Sequence, residues 1–202
     1  HRWAAEMVRT RTTERLDLRT IDAGLPADAA GYPAWIRAGG DALVQTLRDA
    51  DGDDPMWAWG ADQHVRFWSR RMVHEAHVHG ADLALACDRE PEIAAPLAVD
   101  GIDELLDNLP RAVAFAPAVA ELRGAGESLH LHSTDVDGEW MIELLPDGFR
   151  WEHAHGKGTV AVRGRASDLM LLLYRRLPAD DERFTCFGDS ALLAHWLTHS
   201  AH

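Results

Sequence analysis

A single lysine, Lys157, and two cysteines, Cys87 and Cys186, occur in 202 residues. Two thiols so far apart exclude a disulfide framework and fit a reducing cytoplasm. Neither has the surroundings of a nucleophile, and both read as small buried residues. No apolar run approaches the roughly 20 residues that span a bilayer, so no transmembrane helix is expected. No signal peptide is visible. Lys plus Arg number 20 against 33 Asp plus Glu, a net charge of −13. That lacks the concentrated basic surface nucleic acid demands. Internal repeats and low-complexity segments are missing as well. So is the H-E-x-x-H zinc motif, because the residue four after His74 is Val78.

What is present is ordinary for a globular protein: 47% hydrophobic and 26% charged residues. The length suits one large or two small domains with real cores. Abundant Arg, Ala, Asp and Gly look like a GC-rich bacterial genome. The chain opens His1-Arg2-Trp3 in a helical pattern without an initiator Met, so residues are expected to precede it in the natural protein.

Trp3, Met7 and Val8 recur at helical spacing over residues 1–12, and residues 13–33 read as a connection. A second helix is expected from Ala34 to Ala50, with Trp35, Ile36, Leu43, Val44 and Leu47 as its apolar stripe. A third covers residues 62–87. A short helix around Ile102–Asn108 follows Pro91 and Pro96. Beyond residue 125 the period changes to alternation. Strands are expected at residues 129–134, 139–145, 149–155, 159–162 and 184–187, with helices at 166–176 and 189–198. This order implies an antiparallel sheet covered by helices. The fold class is therefore α+β with two domains, helical over residues 1–112 and sheet-containing over 113–202.

The third helix concentrates the chemistry. At about 100° per residue, Glu75 and His79 lie roughly 40° apart around its axis. They share a sector with Val65, Trp68, Met72, Ala76 and Leu83, which reads as the buried stripe, whereas His74 and His77 fall on the polar side. A carboxylate and an imidazole buried together must be compensated by each other or by a cation. The spacing leaves a metal site and a plain intrahelical pair both open. Asp82, about 60° further round than His79, is placed to hold a metal-bound imidazole or to serve as a surface carboxylate. Arg71, and less so Arg70, is a candidate for binding a carboxylate of substrate or thiol. Trp57 and Trp59 are candidates for lining a pocket, while most tryptophans read as core. His130 and His132 share a strand face, as do His153 and His155. Either pair can reach one ion, but polar strand faces at the sheet surface account for both.

The run Phe67-Trp68-Ser69-Arg70-Arg71-Met72-Val73-His74-Glu75, continuing to His79 and Asp82, resembles the last bundle helix of mycothiol-dependent maleylpyruvate isomerase-type proteins, within the DinB/YfiT-like group of metal-binding four-helix bundles. His1-Arg2-Trp3-Ala4 is similar to the end of that family's second helix. Leu129–Asp135, Gly138-Glu139-Trp140, Val160–Leu169 and Phe187-Gly188-Asp189 are similar to its C-terminal α+β domain. The resemblance covers nearly the whole chain.

It implies a DinB-like helical bundle, with its first helix and the start of its second missing, followed by a small antiparallel-sheet α+β domain. It also implies a divalent metal, usually zinc, held by Glu75, His79 and a histidine upstream of His1. The implied reaction is activation of mycothiol as a thiolate for isomerisation of, or transfer to, a small electrophile. Partners would be that thiol and substrate, with no nucleic acid or membrane, in a cytoplasmic monomer or homodimer. A non-catalytic DinB-like bundle serving as a binding or regulatory module is the alternative.

Overall fold

Trp3 of the first helix stands edge-on to Trp68 of the third, with ring centroids 5.2 Å apart, and this contact centres the first half of the computed structural model. The structure describes residues 1–200. It divides into two compact units, His1–Val73 and the chain from His74 onward. The helices are α1 (Arg2–Thr10), α2 (Tyr32–Arg48), α3 (Val65–Ala86), α4 (Ala95–Asn108), α5 (Ala166–Leu173) and α6 (Ser190–His199). The strands are β1 (Ser128–Ser133), β2 (Glu139–Leu145), β3 (Gly148–Glu152), β4 (Val160–Gly164) and β5 (Thr185–Gly188). Among the described residues, no helix is long and apolar enough to cross a membrane.

In the first unit Met7 and Val8 of α1 are fully buried with Leu43 of α2 and with Val65, Phe67 and Trp68 of α3. The α2 stripe is narrower than expected, for Ile36 and Val44 are exposed and the buried positions are Gly39 and Leu43. The arginine at the start of α1 sets this face: Arg2 lies against Gly39 and donates to the carbonyl of Trp35 at 3.1 Å. The loop before α3 is closed by the Gln63 side chain, which donates to the carbonyls of Ala58 and Gly60 at 2.7 and 2.8 Å.

In the second unit the five strands run in the order β3-β2-β1-β4-β5. All neighbours are antiparallel except β1 and β4, which are parallel. The sheet is thus mixed and not purely antiparallel. The reason is the connection after β3, which returns over the sheet instead of turning back in a hairpin. Gly156 lies against Met141 of β2, and Gly158 against His130 of β1. Strand β3 ends at Glu152, so His153 and His155 belong to this crossing segment and not to a strand face.

Helix α4 begins well before the expected Ile102, because Pro96 sits in its first turn, where a missing N–H costs nothing. The sequence reading groups it with the bundle; in the structure it packs against α5 of the sheet unit and meets His74 of α3 through Asp100. Asp135, in the turn after β1, accepts from the Ala166 N–H at 2.9 Å and from the Ser133 hydroxyl at 3.0 Å, tying α5 to the strand. Burial raises the Asp135 pKa, but these donors and the Arg165 guanidinium outweigh it and hold the carboxyl below its ordinary value. Both cysteines are exposed and not buried. Cys87 lies just beyond α3, and every residue of β5, which carries Cys186, is exposed.

Candidate functional site

Helix α3 buries only the first part of the sector that its periodicity picks out: Val65 and Trp68 are buried, but the sector turns outward from Ala76 on. Leu83 is 67% exposed and Ala76 is exposed, whereas His74 is only 1% exposed. In the second unit the buried positions of the helix are His74, Val78 and Ala81. A histidine is tolerated there because its Nε2 lies 2.7 Å from Asp100 Oδ2 of α4. Among the described residues its Nδ1 has no hydrogen-bond partner, and it faces Gly101, where an added Cβ would come within 3.0 Å of it. From His74 onward the assignments of the two faces are reversed: His74 is interior, Glu75 is half-buried and His79 is exposed. His77, expected in solvent, is half-buried.

The surface pair is nonetheless ordered. His79 Nε2 lies 3.2 Å from Glu75 Oε2, and His79 Nδ1 lies 2.9 Å from Asp82 Oδ2. Asp82 in turn takes two hydrogen bonds from the Arg176 guanidinium, at 2.8 and 3.1 Å. Those bonds outweigh the opposing effect of burial and, with a smaller contribution from His79, hold the Asp82 pKa at about 2. The imidazole is held at Nδ1, which leaves Nε2 beside Glu75 as the ligating atom. Side-chain exposure rises from 34% at Glu75 to 66% at His79. A carboxylate oxygen and an imidazole nitrogen suit zinc, so the donor chemistry fits the metal that the resemblance implies. Asp82 does not add a third donor, because it occupies the other nitrogen of the same ring.

The remaining sequence candidates lie in the first unit. Trp57 packs edge-to-face on Trp3 at 6.3 Å and against Trp68 at 6.1 Å, while Trp59 stands edge-on to Phe67 at 5.5 Å. Arg71 is buried, with its guanidinium 5.8 Å from the centre of the Trp59 ring. The structure uses these three side chains in packing.

A second constellation lies on the sheet. His130 and His132 project from β1 on the face opposite buried Leu129 and Leu131, and Glu139 of β2 is paired with His132 in the register. The crossing segment brings His155 over them. His130 Nε2 and His155 Nδ1 each lie 2.7 Å from Glu139 Oε2, and His132 Nδ1 lies 3.1 Å from Oε1. The grouping differs from either pair the sequence offered, since it joins the β1 pair to His155 and a glutamate and leaves His153 out. His153 instead sits 3.0 Å from the Glu139 carbonyl oxygen and 3.1 Å from Asp103 Oδ2. The β1 face is not simply a polar surface either, because His130 is buried. Burial would raise the Glu139 pKa, but hydrogen bonds to His130 and His155 prevail and lower it.

Comparison with known proteins decides the lineage. The model of the mycothiol maleylpyruvate isomerase N-terminal domain matches residues 1–84, and that of the MDMPI C-terminal domain matches residues 96–195. The chain belongs to the mycothiol maleylpyruvate isomerase family. No curated protein matches it. Among solved structures, a UbiJ-SCP2 ubiquinone synthesis protein is 19% identical, with 54% of this chain and 93% of that one covered and a TM-score of 0.39. The sec-alkylsulfatase Pisa1 from Pseudomonas sp. is 14% identical, with 86% of this chain and 32% of that one covered and a TM-score of 0.35.

Proposed function

We propose that this member of the family is a metal-dependent enzyme that activates mycothiol for isomerisation of, or transfer to, a small electrophile, as in maleylpyruvate isomerisation. The observation that carries the reading is the Glu75–His79 pair with Asp82 behind it: Oε2 and Nε2 are 3.2 Å apart, and Nδ1 is already bound. Glu75 and His79 would hold the ion, zinc by donor type. Bound there, it would lower the pKa of a thiol in an open coordination position, so that a thiolate forms near neutral pH. Asp82 fixes the imidazole's tautomer and orientation, and Arg176 keeps Asp82 ionised for that role. Neither exposed cysteine is needed as a nucleophile. In this reading thiol and electrophile are small molecules and the reaction runs in the cytoplasm.

One observation favours the alternative, a non-catalytic binding module: both nitrogens of His79 already have carboxylate partners, which satisfies the cluster without an ion. The two readings separate in one experiment. Mycothiol-dependent isomerisation of maleylpyruvate and loss of free thiol with other electrophiles would be followed together with metal content, for the wild type, Glu75→Gln and His79→Ala. Turnover that depends on metal and is abolished by both substitutions supports the enzyme. A folded chain that binds no metal and turns over none of these substrates sinks it.

A further inference from the structure

We infer that the sheet carries a metal site of its own, in which His130, His132, Glu139 and His155 bind one divalent cation of the zinc class. It is independent of the α3 pair and does not need the proposed reaction.

The ligating atoms of the four residues all lie within 4.8 Å of one another, and no other group of three or more such residues converges this closely among the described residues. The three imidazole rings form a triangle with centroids 5.6 to 6.4 Å apart. Each points one nitrogen at the same carboxylate, at 2.7, 2.7 and 3.1 Å. A single carboxylate can accept from all three only if every one of those nitrogens carries a proton. One divalent ion among them instead takes the lone pairs of these nitrogens, the protons moving to the other nitrogen of each ring or, from an imidazolium, to solvent. Metal–nitrogen bonds of about 2.0–2.1 Å in a tetrahedron put the ligating atoms about 3.3 Å apart, so only small rotamer shifts are required.

The donor set selects the ion. Three imidazoles and one carboxylate suit zinc and its neighbours; the absence of thiolates disfavours copper(I), and one carboxylate is too few oxygens for calcium or magnesium.

The surroundings fix the ligands as a built site does. His130 and His132 are set by the β1 register, and Glu139 by its pairing with His132. His155 depends on the crossing segment, which is held at both ends. At one end Asp103 of α4 lies 3.1 Å from His153 Nε2 and accepts from Trp140 Nε1 at 2.6 Å, while His153 Nδ1 lies 3.0 Å from the Glu139 carbonyl. At the other end Gly158 packs so closely on β1 that a Cβ there would lie 2.9 Å from the His130 backbone nitrogen and 2.6 Å from the Val160 carbonyl oxygen. Side-chain exposure runs from 8% at His130 to 79% at His155, which gives the ion a buried seat and an entry path.

The test uses the 202-residue chain without an affinity tag. It is titrated with Zn²⁺ by calorimetry and with Co²⁺ by visible absorption, beside His132→Ala, His155→Ala, His153→Ala and the pair Glu75→Ala and His79→Ala. The expected result is one equivalent of metal, with a tetrahedral Co²⁺ spectrum, that survives both α3 substitutions and is lost in His132→Ala and His155→Ala; any metal held by the α3 pair adds to it in the wild type and disappears with Glu75→Ala or His79→Ala. His153→Ala should weaken it about 10-fold or more. His155 is exposed, so its substitution tests the ligand without threatening the fold, and circular dichroism checks that. Failure to bind metal, or binding that disappears with Glu75 or His79 and ignores His132 and His155, overturns the site.

Discussion

The two histidine constellations of the second unit differ in how they are made. The α3 group comes from one helix, with three residues in one spacing pattern, and it lies open at the surface. The sheet group draws on β1, β2 and a crossing segment, spans Leu129's neighbour His130 to His155, and is seated on buried strands. Helix α3 brings ligands together through i,i+3 and i,i+4 neighbours, and here that supplies two donors to one ion, so a site on one element is legible but incomplete. A sheet with a strap over it converges several ligands on one point, but only after register and crossing are settled. Legibility and completeness run in opposite directions.

The sharpest way to break this contrast is at Gly158. Gly158→Val should lift the crossing segment from β1, abolish Co²⁺ binding at the sheet and destabilise the fold by about 1–3 kcal/mol in urea unfolding, as overpacking does. The α3 group should be untouched. A Co²⁺ signal that survives would mean that His155 does not depend on this approach.

Next is Glu75→Ala. It should remove thiol activation measured as mycothiol-dependent turnover, while changing unfolding stability by no more than about 0.5 kcal/mol, because the pair is half-exposed. A larger loss of stability would identify the pair as a structural ion pair.

Asp82→Asn is graded below that. The amide no longer accepts as a charged partner of the His79 N–H and no longer matches Arg176, so turnover should fall about 10-fold with the fold retained. Unchanged turnover would remove Asp82 from the site.

The smallest effect controls for the sheet itself. Asp135→Asn should cost about 1 kcal/mol through the weakened link to α5. The folded pKa of Asp135 lies below the ordinary 3.8, so its contribution is present above pH 3.8 and disappears as pH falls through the folded value. The stability difference between wild type and variant should close over that acid range. A difference that persists there would assign the loss to packing instead of charge.

Much of this was readable in advance, for local reasons. The strand positions follow alternation and turn residues, and β2 shows the period directly, with Trp140, Ile142 and Leu144 buried between half-exposed neighbours. The adjacency of Glu75, His79 and Asp82 follows from helical geometry alone. What failed was assignment of faces. Ala76 and Leu83 make an apolar sector, yet α4 packs against His74, and the Asp100 carboxylate makes a buried imidazole tolerable. Gly101 leaves room for Met170 of α5 and for the His74 ring, a signal visible only once these side chains are known to meet there.

The sequence by itself determined the α+β order of elements and the spacing that sets Glu75, His79 and Asp82 along one side of a helix. These rest on short-range periodicity, which operates within a few residues. Only the tertiary structure decided which side of α3 is buried, that β4 runs parallel to β1, and that His155 joins His130, His132 and Glu139 while His153 does not. Each of those outcomes depends on which distant surface arrives at a given face, and a glycine at 158 or an aspartate at 100 takes its meaning from that arrival.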